Sequence, residues 1–285
     1  MTDQPLHPIQ TIRIVFCTNG GLNGALVLER LQRSPRCKIV GVVLSTRLIR
    51  ARQNYLQGAM EFARRCGVAY ALYLWCATSL ADWLLWFSPI APVARLAQRL
   101  AVPMLTTRQI NGAASIQFVN EASPDLLVSA FFNQRIDAAV TALPRFGAIN
   151  IHPSPLPDFR GVDPVFHATL QCAPVFGASV HRIAMEFDSG PLLARETRPA
   201  DMANSVFWNS ACWYSRGAEL MIGAIDEITH GAPGVAQTQG GSYDSWPTAS
   251  QVSTLRTRGV KLVTLKDLLN IVGGKFPGLE SGVDK

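Results

Sequence analysis

Asn150 and His152 carry the side chains with the clearest chemical potential in this 285-residue chain. They lie two positions apart in an apolar, strand-like run, and residues two apart on a strand point to the same face. Pro153 and Pro155 end the run, which places the pair at the carboxyl end of a strand, where open α/β sheets form their ligand crevice. An amide donor beside an imidazole that can move a proton suits acyl transfer through a tetrahedral oxyanion.

Such a site also needs a carboxylate to orient or charge the imidazole, and Asp188 is the candidate. It lies in the glycine-bearing turn Phe187–Gly190 after a strand-like run. The residues alone leave a second interpretation open and favour it: Asn150 caps a strand end, His152 is a hydrogen-bonded histidine beside a proline loop, and Asp188 is an ordinary turn residue.

The elements that must position these side chains alternate between strand and helix patterns. The β-branched run Ile12–Cys17 ends in a glycine-rich turn, a helical pattern follows, and a second β-rich run, Lys38–Leu44, comes about one crossover later. The pattern predicts an open, twisted, mostly parallel α/β sheet with helices on both faces. Further along, Ala178–Ile183 and Pro191–Arg195 predict a hairpin-like pair, and Ser205–His230 predicts a long helix.

The segment 68–87 is unusual because Asp82 is its single formal charge and it holds three tryptophans, Trp75, Trp83 and Trp86. Its length approaches a membrane span, but polar residues interrupt it and prolines follow it, which disfavours spanning. A pair of short helices packed on the domain or on a second subunit is the leading interpretation. An amphipathic hairpin that contacts a membrane peripherally or lines an apolar acceptor pocket stays open.

Composition restricts the classes of protein that need considering. Hydrophobic residues make up 48% and charged residues 16%, which indicates a globular chain, and the net charge of +6 favours an anionic partner. No dense basic run with interleaved aromatics is present, so no nucleic-acid partner is expected. The six cysteines form no CxxC pair, so no metal is expected, and the polar start without a signal pattern predicts a cytoplasmic protein.

The stretch Ile149–Gly161 (INIHPSPLPDFRG) resembles the signature of folate-dependent formyltransferases, a family that includes glycinamide ribonucleotide, methionyl-tRNA and amino-sugar N-formyltransferases. Asp188 lies 36 positions after His152, the spacing of that family, and Gly177–Arg182 resembles the strand between them. The resemblance runs from about residue 12 to about residue 216 and weakens across 47–99, where an apolar insertion is expected. It implies a Rossmann-like formyltransferase fold.

The resemblance implies transfer of a formyl group from 10-formyltetrahydrofolate, without a metal, to a primary amine of a small-molecule acceptor. The amine attacks directly, Asn150 and His152 polarise the formyl oxygen and stabilise the oxyanion, and Asp188 positions the histidine and helps to relay the amine proton. The tail has no room for the RNA-binding β-barrel module of methionyl-tRNA formyltransferases, which favours a small acceptor over tRNA.

The same resemblance assigns folate and acceptor contacts. The folate-pocket candidates are Phe131, Phe132, Asn133, Gln134, Ile183, Glu186 and Phe187. The acceptor-side candidates are Thr18, Asn19, Gly20, Gly21, Ser154 and Arg160. The glycine-rich turn is not GxGxxG, so a dinucleotide site is disfavoured, but it resembles a loop that holds a phosphate in some relatives, and backbone amides at a helix start would suit one.

We expect a catalytic domain over residues 11–235, with a helical insertion at about 66–100, and a short C-terminal extension over 236–285. The residues 273–285 show little periodicity and are expected to be mobile or loosely docked. Two rival functions stay open: a formyltetrahydrofolate hydrolase, and a non-catalytic scaffold that binds a membrane or a partner through 68–87. An exposed apolar insertion also favours a homodimer.

Overall fold

The computed structural model describes residues 11–47, 55–238 and 240–277, and its centre is a seven-stranded sheet. The strands, in chain order and including two that form a separate small sheet, are β1 (Ile12–Thr18), β2 (Cys37–Ser45), β3 (Met104–Thr107), β4 (Leu126–Ala130), β5 (Ala148–His152), β6 (Arg160–Gly161), β7 (Val175–Arg182), β8 (Leu192–Pro199) and β9 (Tyr243–Asp244).

The strand order in the main sheet is β3-β2-β1-β4-β5-β7-β8, in which β1 to β5 pair in parallel and β7 and β8 are antiparallel. The predicted mostly parallel α/β sheet is therefore confirmed. The two runs predicted as a hairpin-like pair form β7 and β8, each longer than the pattern indicated. The small sheet joins β6 and β9 in parallel.

Helices cover both faces of the sheet. They are α1 (Gly21–Arg33), α2 (Tyr55–Cys66), α3 (Val68–Trp75), α4 (Ala81–Leu85), α5 (Val93–Arg99), α6 (Ala113–Ala122), α7 (Ala138–Thr141), α8 (Pro164–Leu170), α9 (Val206–Thr229), α10 (Ala249–Thr257) and α11 (Leu265–Val272). Helix α6 begins at Ala113, because Gln109–Gly112 forms a turn in which the Gly112 N–H donates to the Gln109 carbonyl.

The side-chain alternation of the strands divides the core between the two faces. In β1, Ile14 and Phe16 lie in the larger core, which α1 and α9 cover, whereas Val15 and Cys17 lie in the smaller core beside α6 and α7. In β5, Ile149 and Ile151 belong to the larger core. Because alternate residues point to opposite faces, Asn150 and His152 are turned away from that core.

The segment 66–100, expected to be a helical insertion, lies between β2 and β3 and contains α3 to α5, and α2 directly precedes it. Instead of two separate helices, α3 continues through a π-helical turn, Cys76–Leu80, directly into α4. Within that turn the Thr78 hydroxyl donates to the Leu74 carbonyl at 2.7 Å, a side-chain bond that competes with the regular helix ladder. The run Val68–Leu85 is long and apolar enough to cross a membrane by length and composition, and 28% of it is buried inside the molecule.

The C-terminal segment folds back onto the rest of the chain. Trp246 packs edge-on against Phe62 of α2, with ring centroids 4.7 Å apart. Phe276 is buried, and the Ser215 hydroxyl of α9 donates to the Pro277 carbonyl at 2.6 Å. Residues 273–277 are therefore docked, while the rest of the tail predicted to be mobile lies outside the described residues.

Candidate active site

Asn150 lies near the carboxyl end of β5, and its side-chain oxygen accepts a hydrogen bond from a neighbouring strand. Ser129 lies opposite it in the register of β4 and β5, and the Ser129 hydroxyl donates to Asn150 Oδ1 at 2.6 Å. This bond fixes the amide orientation, so the Nδ2 hydrogens face the crevice. Nδ2 lies 3.2 Å from Nε2 of His181. Asn150 thus offers a pre-oriented neutral donor, which is what a developing oxyanion needs.

His152 is only 4% exposed, and it lies beside Asp188 rather than on the crevice wall. Its Nε2–H donates to the carbonyl of Phe159 at 2.8 Å, and its Nδ1 lies 3.5 Å from Oδ1 of Asp188. Burial lowers the pKa of His152, although the carboxylate of Asp188 acts in the opposite sense. The imidazole is therefore neutral near pH 7, with Nδ1 free to take a proton in contact with a carboxylate.

Asp188 lies in the turn between β7 and β8 with a left-handed backbone, φ 54°. Its Oδ2 accepts from the Gly161 N–H at 2.9 Å, and its Oδ1 lies 3.5 Å from both His152 Nδ1 and His181 Nε2. Burial alone would raise the pKa of Asp188, but the two imidazoles and the Gly161 N–H outweigh it and hold the pKa well below its ordinary range. The carboxylate is ionised at the centre of the site.

Two further residues hold this carboxylate in place. The Gln237 amide donates to the carbonyls of Asp188 and Gly190, at 2.9 and 2.7 Å. Gly161 has φ 103°, and a Cβ there would meet the Asp244 carbonyl at 2.2 Å, so no larger residue fits without moving the chain. The Gly161 N–H can therefore reach Asp188 because position 161 is glycine.

His181 is a site residue that sequence reasoning missed. It faces Asn150 directly in the antiparallel register of β5 and β7. Its Nδ1–H donates to the Arg182 carbonyl at 2.9 Å, which leaves Nε2 free to accept from the Asn150 Nδ2–H, at 3.5 Å from Asp188 Oδ1. The available signal was a histidine within the strand that leads to Asp188, but that signal is useful only once β5 and β7 are known to pair.

A crevice of two adjoining cavities opens beside these groups. The inner one, about 60 Å³, reaches Asn150, His181 and Asp188, and the outer one, about 350 Å³, shares Arg135, Glu186 and Phe187 with it. Of the predicted folate-pocket residues, five line the crevice: Phe132, Gln134, Ile183, Glu186 and Phe187.

The other two predicted folate-pocket residues lie elsewhere. Phe131 is turned away and packs edge-on against Tyr214 at 5.7 Å. Asn133 is also turned aside, where its Oδ1 accepts from the Ser45 hydroxyl and its Nδ2 donates to the Arg47 carbonyl. Alternation along this loop explains the difference, because neighbouring side chains leave it on opposite sides.

The glycine-rich turn after β1 binds a carboxylate of the same chain, that of Asp82. The Gly21 N–H donates to Asp82 Oδ1 at 2.9 Å, and a Cβ on Gly21 would meet the Ala77 carbonyl at 2.3 Å. The insertion therefore closes over the start of α1. Burial raises the pKa of Asp82 to about 6, against the opposing effect of the Gly21 N–H.

The remaining predicted acceptor-side residues have different surroundings. Thr18 is buried and its hydroxyl accepts from the Gly20 N–H, while Asn19 Oδ1 accepts from the Asn133 N–H. Ser154 is 1% exposed, and its hydroxyl donates to the Asp158 carbonyl, so it organises the proline loop instead of facing the crevice. Arg160 lines the outer cavity, and its Nε has no hydrogen-bond partner within the described residues.

Helix α3 also contacts the loop between β6 and α8. The Tyr70 hydroxyl of α3 donates to Asp163 Oδ2 at 2.8 Å, and Asp163 caps α8 by accepting from the Phe166 N–H. Burial raises the pKa of Asp163 above its ordinary value, with Tyr70 acting in the opposite sense. Helix α3 is thus linked to the start of α8 by a side-chain hydrogen bond.

Comparison with known proteins agrees with the geometry. Residues 87–207 match the formyl transferase family model. The methionyl-tRNA formyltransferase of Acidothermus cellulolyticus is 32% identical over 158 residues, which cover 54% of this chain and 48% of that protein. The corresponding enzyme of Roseiflexus sp. is 32% identical over 145 residues, covering 51% and 45%. This chain spans about half the length of the curated relatives it matches.

Solved structures show the same fold at low identity. Glycinamide ribonucleotide transformylase 1 from Symbiobacterium toebii superposes with a TM-score of 0.54 at 16% identity, over 84% of this chain and 99% of that one. WlaRD, a sugar 3N-formyltransferase solved in the presence of dTDP and 5-N-formyl-THF, has a TM-score of 0.53 at 17% identity, over 83% and 70%. The predicted resemblance to the formyltransferase family is confirmed.

Proposed function

We propose that this chain, which resembles the formyltransferases in both sequence and fold, transfers a formyl group from 10-formyltetrahydrofolate to a primary amine of a small-molecule acceptor. The observation that carries the proposal is the convergence of an oriented amide donor, an ionised carboxylate and the His181 imidazole at the inner end of one crevice, with the His152 imidazole behind the carboxylate. These are the groups that formyl transfer requires at a single carbonyl carbon.

In the proposed reaction the amine nitrogen bonds to the formyl carbon, and the C=O electron pair moves onto oxygen. The Asn150 Nδ2–H stabilises that oxygen, because Ser129 holds the other end of the amide. The amine proton passes to Asp188 or to the acceptor nitrogen of His181, both of which line the inner cavity. Collapse of the intermediate breaks the bond to the donor nitrogen, which takes the proton back.

In our proposal His152 does not contact the substrate and acts through Asp188. Its Nδ1 contacts the same carboxylate oxygen that faces His181, so it can share a proton with Asp188 without touching the crevice. The Nε2–H bond to Phe159 keeps the ring in that orientation. We therefore assign to His152 the positioning and charging of Asp188, and to Asn150 the direct contact with the formyl oxygen.

The walls of the crevice suit a flat, bicyclic donor. Phe132, Ile136, Ile183 and Phe187 supply apolar surface around the inner cavity, next to the catalytic groups. Arg135 and Arg160 line the outer cavity, where the anionic glutamate end of a folate would emerge. The residue types thus follow the donor from its flat heteroaromatic head, whose faces can stack on apolar side chains, to its charged tail.

One feature supports an acceptor that carries no phosphate at the start of α1. The Gly21 amide, the natural partner for such an anion, is taken by Asp82. A second anion at this position would face a carboxylate.

We also propose that residues 11–235 form the catalytic unit and that the C-terminal extension completes it. The β9 strand of the extension pairs with β6 beside Gly161, and Tyr243 lines the outer cavity. Gln237 holds the Asp188 turn. These contacts support a functional role for the extension rather than that of a detachable tail.

A direct assay tests the proposal. Purified chain is incubated with 10-formyltetrahydrofolate and a panel of amino sugars, amino acids and other primary amines, and donor consumption, formylated product and free formate are measured. Asn150→Ala and Asp188→Asn are compared with His230→Ala, an exposed histidine at the end of α9. We expect transfer to at least one amine, loss of it in the first two variants, and normal turnover in the control.

The other outcomes select the rival functions. Formate release that does not depend on any amine would identify a formyltetrahydrofolate hydrolase that uses the same groups. Transfer to initiator methionyl-tRNA but to no small amine would replace the proposed acceptor class. Absence of donor binding and of turnover in the folded wild-type chain would reject catalysis and leave a scaffold.

A further inference from the structure

Neighbouring helices from two separate parts of the chain present large apolar side chains to solvent. One part is α2 to α4 with the residues just after α4, and the other is α11, which packs beside α4. Together they form what we call the outer apolar surface: Leu56, Met60, Val68, Leu72, Trp75, Trp83, Trp86, Phe87, Leu265, Leu269 and Val272. Most of the exposed large apolar side chains among the described residues belong to it.

These side chains are not needed for the core. In the run Val68–Leu85, the buried side is formed by Tyr70, Tyr73, Ala77, Ala81 and Leu85. The exposed apolar residues occupy the opposite side at helical spacing, as Leu265, Leu269 and Val272 do on α11. Each helix therefore has one apolar side that holds it to the protein and a second apolar side that faces outward. A cluster of exposed apolar side chains on neighbouring helices is typical of an interaction site.

The aromatic residues favour a lipid interface as the partner. Trp83 is 58% exposed, Trp86 is 51% exposed, and the ring of Phe87 packs edge-on against that of Trp83. The guanidinium of Arg95 lies 5.3 Å from the centre of the Trp86 ring. Tryptophan has an apolar body and a polar N–H, and a neighbouring arginine can reach the headgroup layer while its stem stays apolar.

The charges around the surface favour an anionic bilayer over a second copy of the chain. The exposed basic residues on or beside these helices are Arg64, Arg65, Arg99, Lys266 and Lys275. Of the three acidic residues of the same helices, Asp82 and Asp267 are turned inward, because Asp82 accepts from Gly21 and Asp267 accepts from Ser205, and Glu61 is half-buried. Pairing two such surfaces would bring cations together, whereas anionic headgroups would neutralise them.

We propose that the outer apolar surface binds an anionic lipid bilayer, with the helices lying in the interfacial layer parallel to the membrane. The run Val68–Leu85 does not span the bilayer in this arrangement, because its inner side stays packed against the domain. The same helices carry Tyr70 and Asp82 on their inner side, where they contact Asp163 and Gly21, so membrane docking would bring these contacts close to the lipid surface.

Vesicle flotation of the full chain tests this surface. Vesicles of phosphatidylcholine alone are compared with vesicles that contain about 30% phosphatidylglycerol, at low and high salt. We expect wild-type protein to float with the anionic vesicles, and binding to weaken as salt screens the arginines and lysines. The combined variant Trp83→Ala, Trp86→Ala, Phe87→Ala should lower the partition coefficient about tenfold or more.

The matched control is Met104→Ala combined with Met202→Ala, which removes exposed apolar side chains elsewhere and should float like the wild type. Arg99→Glu with Lys266→Glu should remove the preference for anionic vesicles. Circular dichroism confirms that each variant is folded. The proposal is overturned if the wild type binds neither kind of vesicle, if the aromatic variant floats normally, or if sedimentation equilibrium shows a dimer that this variant abolishes without any vesicle binding.

Discussion

Replacement of Asp82 by asparagine should stabilise the protein at neutral pH and do so less at acidic pH. The Asp82 carboxylate lies at the start of α1, where it accepts a hydrogen bond from the Gly21 N–H at 2.9 Å. Burial raises its pKa from 3.8 to about 6. A carboxyl whose pKa is higher in the folded than in the unfolded chain favours folding at low pH, and that advantage is lost as pH rises through about 6.

The size of the effect follows from the shift. A change of about two pKa units corresponds to about 3 kcal/mol between the two protonation states. Asp82 is partly exposed, so we reduce the expected gain to about 1–2 kcal/mol. An ionised group at a helix N-terminus regains about 0.3–1 kcal/mol from the helix dipole, which is smaller than the burial cost. The asparagine has nearly the same shape and its Oδ1 can still accept from Gly21, so the loss of charge dominates.

Urea unfolding of wild type and Asp82→Asn at pH 7.5 and pH 5 measures the difference. At pH 7.5 the variant should be about 1–2 kcal/mol more stable, and at pH 5 about half of that advantage should remain. Asp137→Asn, a carboxyl on the opposite side of the sheet, serves as the control. A variant that is less stable than wild type at pH 7.5, or a difference that does not change with pH, would show that the carboxylate is held favourably and that our account of the burial cost is wrong.

The remaining predictions concern the candidate active site. Gly161→Ala should lower stability by about 2 kcal/mol or more, because its Cβ would collide with the Asp244 carbonyl, and thermal unfolding will show it. Asn150→Ala should reduce kcat by about 10²–10³ with little change in the donor KM, as steady-state kinetics can test. The pKa of Asp188 is lower in the folded than in the unfolded chain, so the ionised carboxylate stabilises the wild type above about pH 4 and this contribution is lost as pH falls. Asp188→Asn should remove this pH-dependent stability, and acid unfolding curves of variant and wild type that coincide would contradict the prediction. Arg160→Ala should raise the donor KM and leave kcat unchanged. The increase in KM should be larger for folates that carry more glutamates.

Much of the site could be predicted because it is local in the chain. The strand-like run that carries Asn150 and His152 is β5 in the structure, and its period of two places both side chains on one face. The motif around this strand also led to the formyltransferase resemblance that the comparisons confirm. Both results need only residues that are neighbours in sequence, where alternation and turn chemistry act directly.

The tertiary structure alone decided which distant residues complete the site. His181 reaches Asn150 through the antiparallel pairing of β5 and β7, and Tyr243 reaches the outer cavity through β9. Asp82 reaches Gly21 because the insertion folds back over α1. Local periodicity says which side of an element faces inward, but not which other element lies there. That choice depends on burying apolar surface over the whole chain, so it appears only when the chain is folded.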